Sequence, residues 1–277
     1  MRVEPMPPEL AIAHEPGVAK PDPVLKIGGM RRAFGGLAAV DIHHLEIQRN
    51  TITSIIGPNG AGKTTLFNLL TGFETPDQGN YSLDGDLLVG VPAHQVAQRG
   101  MVRTFQLTKV LPGLSVLENM LVAARVQPGA SFRGAILGGW RGAERENEKQ
   151  AREILERFGL TAMTDEFAGR LSGGQRKLLE MARALMVRPT VVMLDEPTAG
   201  VNPKLVQSLL EHVKGLRDSG MTVLFVEHDM DVVQSISDWV VVVAEGHVIA
   251  EGPPAVIARN PAVIEAYLGK HRGEDVA

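Results

Sequence analysis

The stretch Gly57-Pro58-Asn59-Gly60-Ala61-Gly62-Lys63-Thr64 decides how this chain reads. It fits the pattern G-x-x-x-x-G-K-[ST], with an apolar β-type run over 51–56 leading in and an apolar helical pattern over 63–70 leading out. The glycines let the backbone turn tightly and aim successive N–H groups inward. The start of the following helix adds the positive end of its dipole. Such a concavity suits a run of phosphates. Lys63 supplies a full charge for the outer two phosphates, and the Thr64 hydroxyl is a ligand for Mg2+. These eight residues, with Thr65 next in line, are expected to bind a nucleoside triphosphate.

Outward from this turn, the runs 24–27 and 40–47 read as further strands before it. Beyond it, 191–194, 222–226 and 239–244 are short continuous apolar runs, as in strands buried on both faces, with a helical pattern over 204–216 among them. The alternation predicts an α/β fold with a mainly parallel sheet and helices on both sides. The middle of the chain is helical, so a helical subdomain over about 107–180 is expected as an insertion in that core. There Ser115 and Glu118 have capping-box spacing. The charged run 144–157 reads as an exposed helix with one buried stripe and pairs such as Glu148–Arg152.

Composition narrows the function. Among 277 residues, 44% are hydrophobic and 22% charged, enough to bury a sizeable core. A net charge of −4 argues against non-specific nucleic-acid binding. Cysteine is absent, which excludes disulfides, thiolate metal sites and cysteine nucleophiles. No apolar stretch approaches the roughly 20 residues of a membrane-spanning helix, so a membrane role must come through a partner. The first 23 residues hold six of the 17 prolines and no apolar period; they read as a flexible leader, 1–23, outside the fold. His43 and His44 are adjacent on a strand and point to opposite faces, so both read as structural.

Two further motifs carry chemistry. The run 191–194 ends in Asp195-Glu196, an acid at a buried strand end able to complete a Mg2+ shell, followed by one able to polarise an attacking water. Leu171-Ser172-Gly173-Gly174-Gln175 precedes a helical pattern. Capping-box spacing accounts for Ser172 and Gln175 but not for the double glycine, which bares a helix N-terminus to an anion. With one phosphate site already present, a second implies a γ-phosphate gripped from the opposite side.

On these motifs, in this order, the chain resembles the ATP-binding cassette (ABC) family of ATPases over roughly 25–269. The resemblance implies a P-loop NTPase core with a mainly parallel sheet, an antiparallel β subdomain and the inserted helical subdomain, all within 24–271, and a short tail at 272–277. It implies ATP and Mg2+ as cofactors. Phe34 matches the aromatic that stacks on adenine, and Gln106 the glutamine that contacts Mg2+ or water. His228 matches the switch histidine at the γ-phosphate, and Ser172, Gly173, Gly174 and Gln175 the element that grips the γ-phosphate held by another subunit. Catalysis then rests on Glu196, His228, Gln106 and Lys63, and the metal on Thr64, Gln106 and Asp195. Asn202 departs from the pattern; many cassettes have an aspartate there.

The family also implies partners: a second ATPase subunit, identical or not, transmembrane permease subunits and, indirectly, a periplasmic solute-binding protein, with no nucleic acid. It implies a peripheral place on the cytoplasmic face of the inner membrane. Arg103-Thr104-Phe105-Gln106, the segment from Ser115 to Asn119, the extended stretch 126–145 and the tail from Asn260 to Gly269 resemble ATPase subunits of branched-chain amino acid importers. Subunits for urea or short-amide import and for lipopolysaccharide export share much of that tail. The surface over 109–121 is expected to meet the permease. A DNA-acting cassette ATPase would carry a long coiled coil between Lys63 and Leu171, and no sustained heptads occur there. A GTP switch would carry an Asn-Lys-x-Asp reader, also missing from the sequence.

Overall fold

The computed structural model describes residues 12–104, 110–124 and 140–268. Their strands are β1 (Pro23–Phe34), β2 (Leu37–Gln48), β3 (Ile52–Ile56), β4 (Gln78–Leu83), β5 (Asp86–Leu87), β6 (Met101–Arg103), β7 (Val191–Asp195), β8 (Thr222–Val226), β9 (Trp239–Ala244) and β10 (His247–Gly252). The helices are α1 (Lys63–Leu70), α2 (Ala93–Gln98), α3 (Val116–Val122), α4 (Trp140–Arg157), α5 (Gly173–Leu185), α6 (Pro203–Asp218), α7 (Met230–Ile236), α8 (Pro254–Ile257) and α9 (Pro261–Leu268). Two compact units result: Met1–Val96 with Val213–Ala277, and Ala97–His212.

In the first unit, β1 and β2 form a long antiparallel hairpin, extended by β4 and β5 into a sheet of order β2-β1-β4-β5. In β1, Leu25 and Ile27 are buried on either side of exposed Lys26, the alternation of a sheet with one wet face. His43 is exposed; His44 is half-buried, with Nε2 3.5 Å from Glu46 Oε1. By contrast β3 is buried along its whole length, running parallel to β8 on one side and β9 on the other, with β10 antiparallel on β9. Burial on both faces is why β8 and β9 read as short continuous apolar runs, while β3 also buries Thr53 and Ser54. Ile56, Val240, Val242, Val233, Ile257 and Val263 form one cluster that ties α7, α8 and α9 to these strands. Each such side chain contributes roughly 1.5–3 kcal/mol by leaving water.

The leader differs from the sequence expectation in its described part, 12–22. Glu251 of β10 is 1% exposed, and its carboxylate accepts the Gly17 and Val18 N–H groups at 2.6 and 3.0 Å. It also accepts Lys20 Nζ at 2.6 Å and Trp239 Nε1 at 2.9 Å. Lys20 lies 4.4 Å from the Trp239 ring centroid, and its backbone N–H donates to Glu46 Oε2 at 2.7 Å. This stretch is fixed to the first unit because it supplies three of the donors, beside Trp239, that satisfy a buried carboxylate.

In the second unit, β6 and β7 pair in parallel. Helix α3 begins with the expected capping box of Ser115 and Glu118. Buried Asn119 then holds the preceding turn: its Oδ1 accepts the Leu111 N–H at 2.8 Å, and its Nδ2 donates to the carbonyls of Leu111 and Ser115 at 3.0 and 2.9 Å. Helix α4 buries Ala151 and Leu155 and keeps its charges outside, with Arg152 Nη2 2.7 Å from Glu148 Oε1. β6, β7 and most of α6 belong to this unit together with its helices. Among the described residues, no helix is long and apolar enough to cross a membrane.

Candidate nucleotide-binding site

The first unit carries the phosphate cradle between the fully buried β3 and α1. Gly62 precedes α1 at φ 100, and a Cβ there would lie 2.0 Å from the Ala39 carbonyl oxygen, so no side chain fits. No side chain caps the start of α1, which leaves it open to an anion. Lys63 is 9% exposed, and its Nζ donates to the carbonyls of Gly57 at 2.7 Å and Pro58 at 3.1 Å. The ammonium therefore sits inside the loop it serves. Asn59, Gly60 and Thr64 are exposed and Thr65 is half-buried. Ala61 is buried, its carbonyl accepting the Gly246 N–H at 3.0 Å.

Phe34, at the end of β1, is 48% exposed, with the Arg32 guanidinium 4.8 Å from its ring centroid. Asp77 fixes that guanidinium through Arg32 Nη1 at 2.7 Å and also accepts the Ala33 N–H at 2.8 Å. The Ala33 N–H, and then Arg32, hold the Asp77 carboxyl below the usual range. Sequence reasoning singled out Phe34 but missed this support, because Asp77 lies 45 residues from Arg32 along the chain. His228 follows β8 on the surface, its Nδ1 3.8 Å from the Glu227 carboxylate, which is fully buried. Asp229 caps α7 by accepting the N–H groups of Asp231 and Val232.

Tyr267 of α9 packs on the cluster around Ile56. Its hydroxyl is shut off from solvent and makes no hydrogen bond of ordinary geometry. Burial pushes the phenol up, and the Gly57 N–H acts in the opposite direction. The C-terminal helix thus backs the first residue of the cradle.

The second unit carries the acids and the glycine-flanked helix. Asp195 ends β7 and receives Arg103 Nη2 on Oδ2 at 2.6 Å. Glu196 follows at φ 45, a conformation rare for a residue with a side chain and a mark of strain at functional positions. At the start of α5, Gln175 Oε1 accepts the Ser172 N–H at 2.9 Å and Ser172 Oγ accepts the Gln175 N–H at 3.3 Å. The Gly173 and Gly174 amides lie between them. Asn202 sits just before α6, its carbonyl accepting the N–H groups of Leu205 and Val206 at 2.8 and 3.1 Å. Gln106 lies outside the described residues, as does part of 109–121, where Leu111 is 40% exposed.

An uncapped helix start, an ammonium held by loop carbonyls and a half-exposed aromatic ring fit a nucleoside triphosphate. Among the described residues, no three His, Asp or Glu side chains gather to hold a metal. Mg2+ suits such a setting, since it binds through one or two protein oxygens together with phosphate and water.

The ABC transporter family model matches residues 40–199, and the chain belongs to that family. Within it, a second model, described as branched-chain amino acid ATP-binding cassette transporter, matches residues 247–272. The chain is 43% identical over 251 residues to the high-affinity branched-chain amino acid transport ATP-binding protein BraF of Pseudomonas aeruginosa, covering 90% of this chain and 98% of BraF. The same figures hold for LivG of Escherichia coli K12, described in the same words. Among solved structures, the ADP conformation of MJ1267, an ATP-binding cassette of an ABC transporter, superposes with a TM-score of 0.78 at 36% identity, covering 89% of this chain and 99% of that one.

Proposed function

We propose that this protein hydrolyses ATP to power an ABC importer of branched-chain amino acids. It would be bound peripherally to permease subunits on the cytoplasmic face of the membrane, with a periplasmic binding protein delivering solute. The observation that carries the reading is the pairing, in one chain, of a cradle open at α1 with a C-terminal segment of the branched-chain type over 247–272. Relatives named for branched-chain amino acid transport, matched over 98% of their length, support the cargo.

In this reading Phe34 stacks on adenine and the amides of 57–65 hold the phosphates. Lys63 exchanges its two carbonyl partners for β- and γ-phosphate oxygens. Thr64, Asp195 and Gln106 would hold Mg2+, which when bound neutralises charge on those phosphates. Glu196 takes a proton from water as the water oxygen bonds to the γ-phosphorus and the bond to the β,γ-bridging oxygen breaks, giving ADP and phosphate. His228 donates a hydrogen bond to the γ-phosphate. Ser172, Gly173, Gly174 and Gln175 serve the nucleotide of a second ATPase subunit.

The test is ATP-driven uptake of radiolabelled leucine by proteoliposomes holding this chain and its co-purified permease. Leucine uptake lost in Lys63→Ala is the expected result. Uptake of urea or release of lipopolysaccharide instead would reassign the cargo, and no ATP hydrolysis at all would refute the activity.

A further inference from the structure

Asp195 does not wait as a bare carboxylate. Arg103 Nη2 donates to its Oδ2 at 2.6 Å, and the two side chains are 6% and 10% exposed. Backbone pairing delivers the guanidinium: β6 lies parallel to β7 with Arg103 opposite Met193, and the Thr104 N–H donates to the Met193 carbonyl at 2.9 Å. Arg103 also lines a cleft of about 300 Å³ whose other charged walls are Glu180 and Arg183. Among the described residues, Glu180 is the carboxylate that lines this cleft beside the two guanidinium groups.

We propose that Arg103 is a positioning residue for the metal-dependent reaction: it holds Asp195 as a buried ion pair in the metal-free protein and yields that carboxylate when a divalent cation arrives with the nucleotide. The inference rests on the proposed metal role of Asp195. Two cations compete for one carboxylate, and the guanidinium repels the incoming ion across a poorly screened interior. Arg103 therefore sets how much cation the protein needs. In the metal-free state it prevents an uncompensated buried carboxylate. Glu180, in the same cleft, is a second carboxylate for the guanidinium as its hold on Asp195 loosens.

The experiment measures binding, not turnover. Fluorescent ADP is titrated onto the full chain in EDTA, and Mn2+ is then titrated with free ion read by electron paramagnetic resonance. Arg103→Gln is expected to keep its ADP affinity in EDTA while its half-saturating Mn2+ falls on the order of three- to tenfold, the size of a partly screened charge interaction. A purely structural pair would lower the melting temperature and leave the Mn2+ requirement unmoved. An unchanged or higher requirement overturns the proposal. If Arg103→Gln does not fold, Arg103→Lys carries the test: one ammonium contact replaces the planar group, so the requirement still falls, by about twofold, and a value at or above wild type overturns the inference. Asp195→Asn separates the two layers. If it leaves the Mn2+ requirement intact, the metal role of Asp195 fails, and the inference with it; if it abolishes Mn2+ binding while Arg103→Gln changes nothing, the inference alone fails.

Discussion

In the proposed mechanism Lys63 and Glu196 divide the chemistry between ground state and reaction. Lys63 is already folded into the cradle by two loop carbonyls, so Lys63→Ala removes a ground-state phosphate contact and leaves those carbonyls without their cation. Nucleotide affinity is expected to fall at least tenfold in a fluorescence titration, a loss of about 1.4 kcal/mol or more. Glu196→Gln keeps the shape and loses the base: affinity should stay within twofold while turnover falls by about 10²–10⁴. Full steady-state hydrolysis in that variant would remove Glu196 from its role. The backbone at Glu196 makes a separate point. At φ 45 a Cβ is unfavourable, so Glu196→Gly should be more stable to urea than Glu196→Ala by about 1 kcal/mol, and equal stabilities would show the position to be unstrained. Sequence spacing singled out Lys63, Asp195 and Glu196 as candidates because each sits at a fixed offset within a local motif. Arg103 and Asp77 act through partners 92 and 45 residues away, and no local pattern encodes such a partner. Gly174 adds a nuance to the double glycine: a Cβ there would lie 2.3 Å from Leu205 Cδ1, so packing against α6 requires this glycine as well as anion access.

Among the elements, buried strands and capped helices were legible because their signals are periodic or local. The runs at β3, β8 and β9 have no exposed face, and the boxes of Ser115 with Glu118 and Ser172 with Gln175 close within one turn. The leader was not legible. Prolines and the lack of an apolar period suggested chain outside the fold, while 12–22 are held through Glu251, 231 residues beyond Lys20. That carboxylate accepts two backbone amides, an ammonium and an indole N–H within a dry pocket. Burial pulls the Lys20 ammonium down, and Glu251 opposes the shift. Removing one member of such a group leaves the others unpaired. Glu251→Ala is therefore expected to cost about 3–5 kcal/mol in urea unfolding and to release 12–22 to protease. A loss below about 1 kcal/mol would mean that the leader contributes nothing to the first unit.

In the whole molecule, each unit carries one element available to a second copy. The first unit presents a cradle with an uncapped helix start, and the second a helix start whose Ser172 and Gly173 are exposed. Gly173 has open space where a Cβ would stand, so an anion can approach the amides between the two capping residues. If the γ-phosphate held in one copy completes the second site on another, ATP acts as a ligand of the dimer alone. Association then follows the nucleotide by mass action: the dimer is favoured while the triphosphate is intact and loses its bridging contacts once hydrolysis separates the terminal phosphate. The Glu196→Gln variant arrests the cycle in the bridged state. Light scattering of this variant should report a doubled mass with Mg-ATP and a single-chain mass with Mg-ADP. Adding Ser172→Arg, which fills the approach to α5 with a long side chain, should abolish the doubling without changing single-chain nucleotide affinity. A dimer that persists unchanged in ADP would locate the association elsewhere on the surface. A monomer in ATP, with the permease present to hold two copies together, would leave Ser172, Gly173, Gly174 and Gln175 as a helix cap and nothing more.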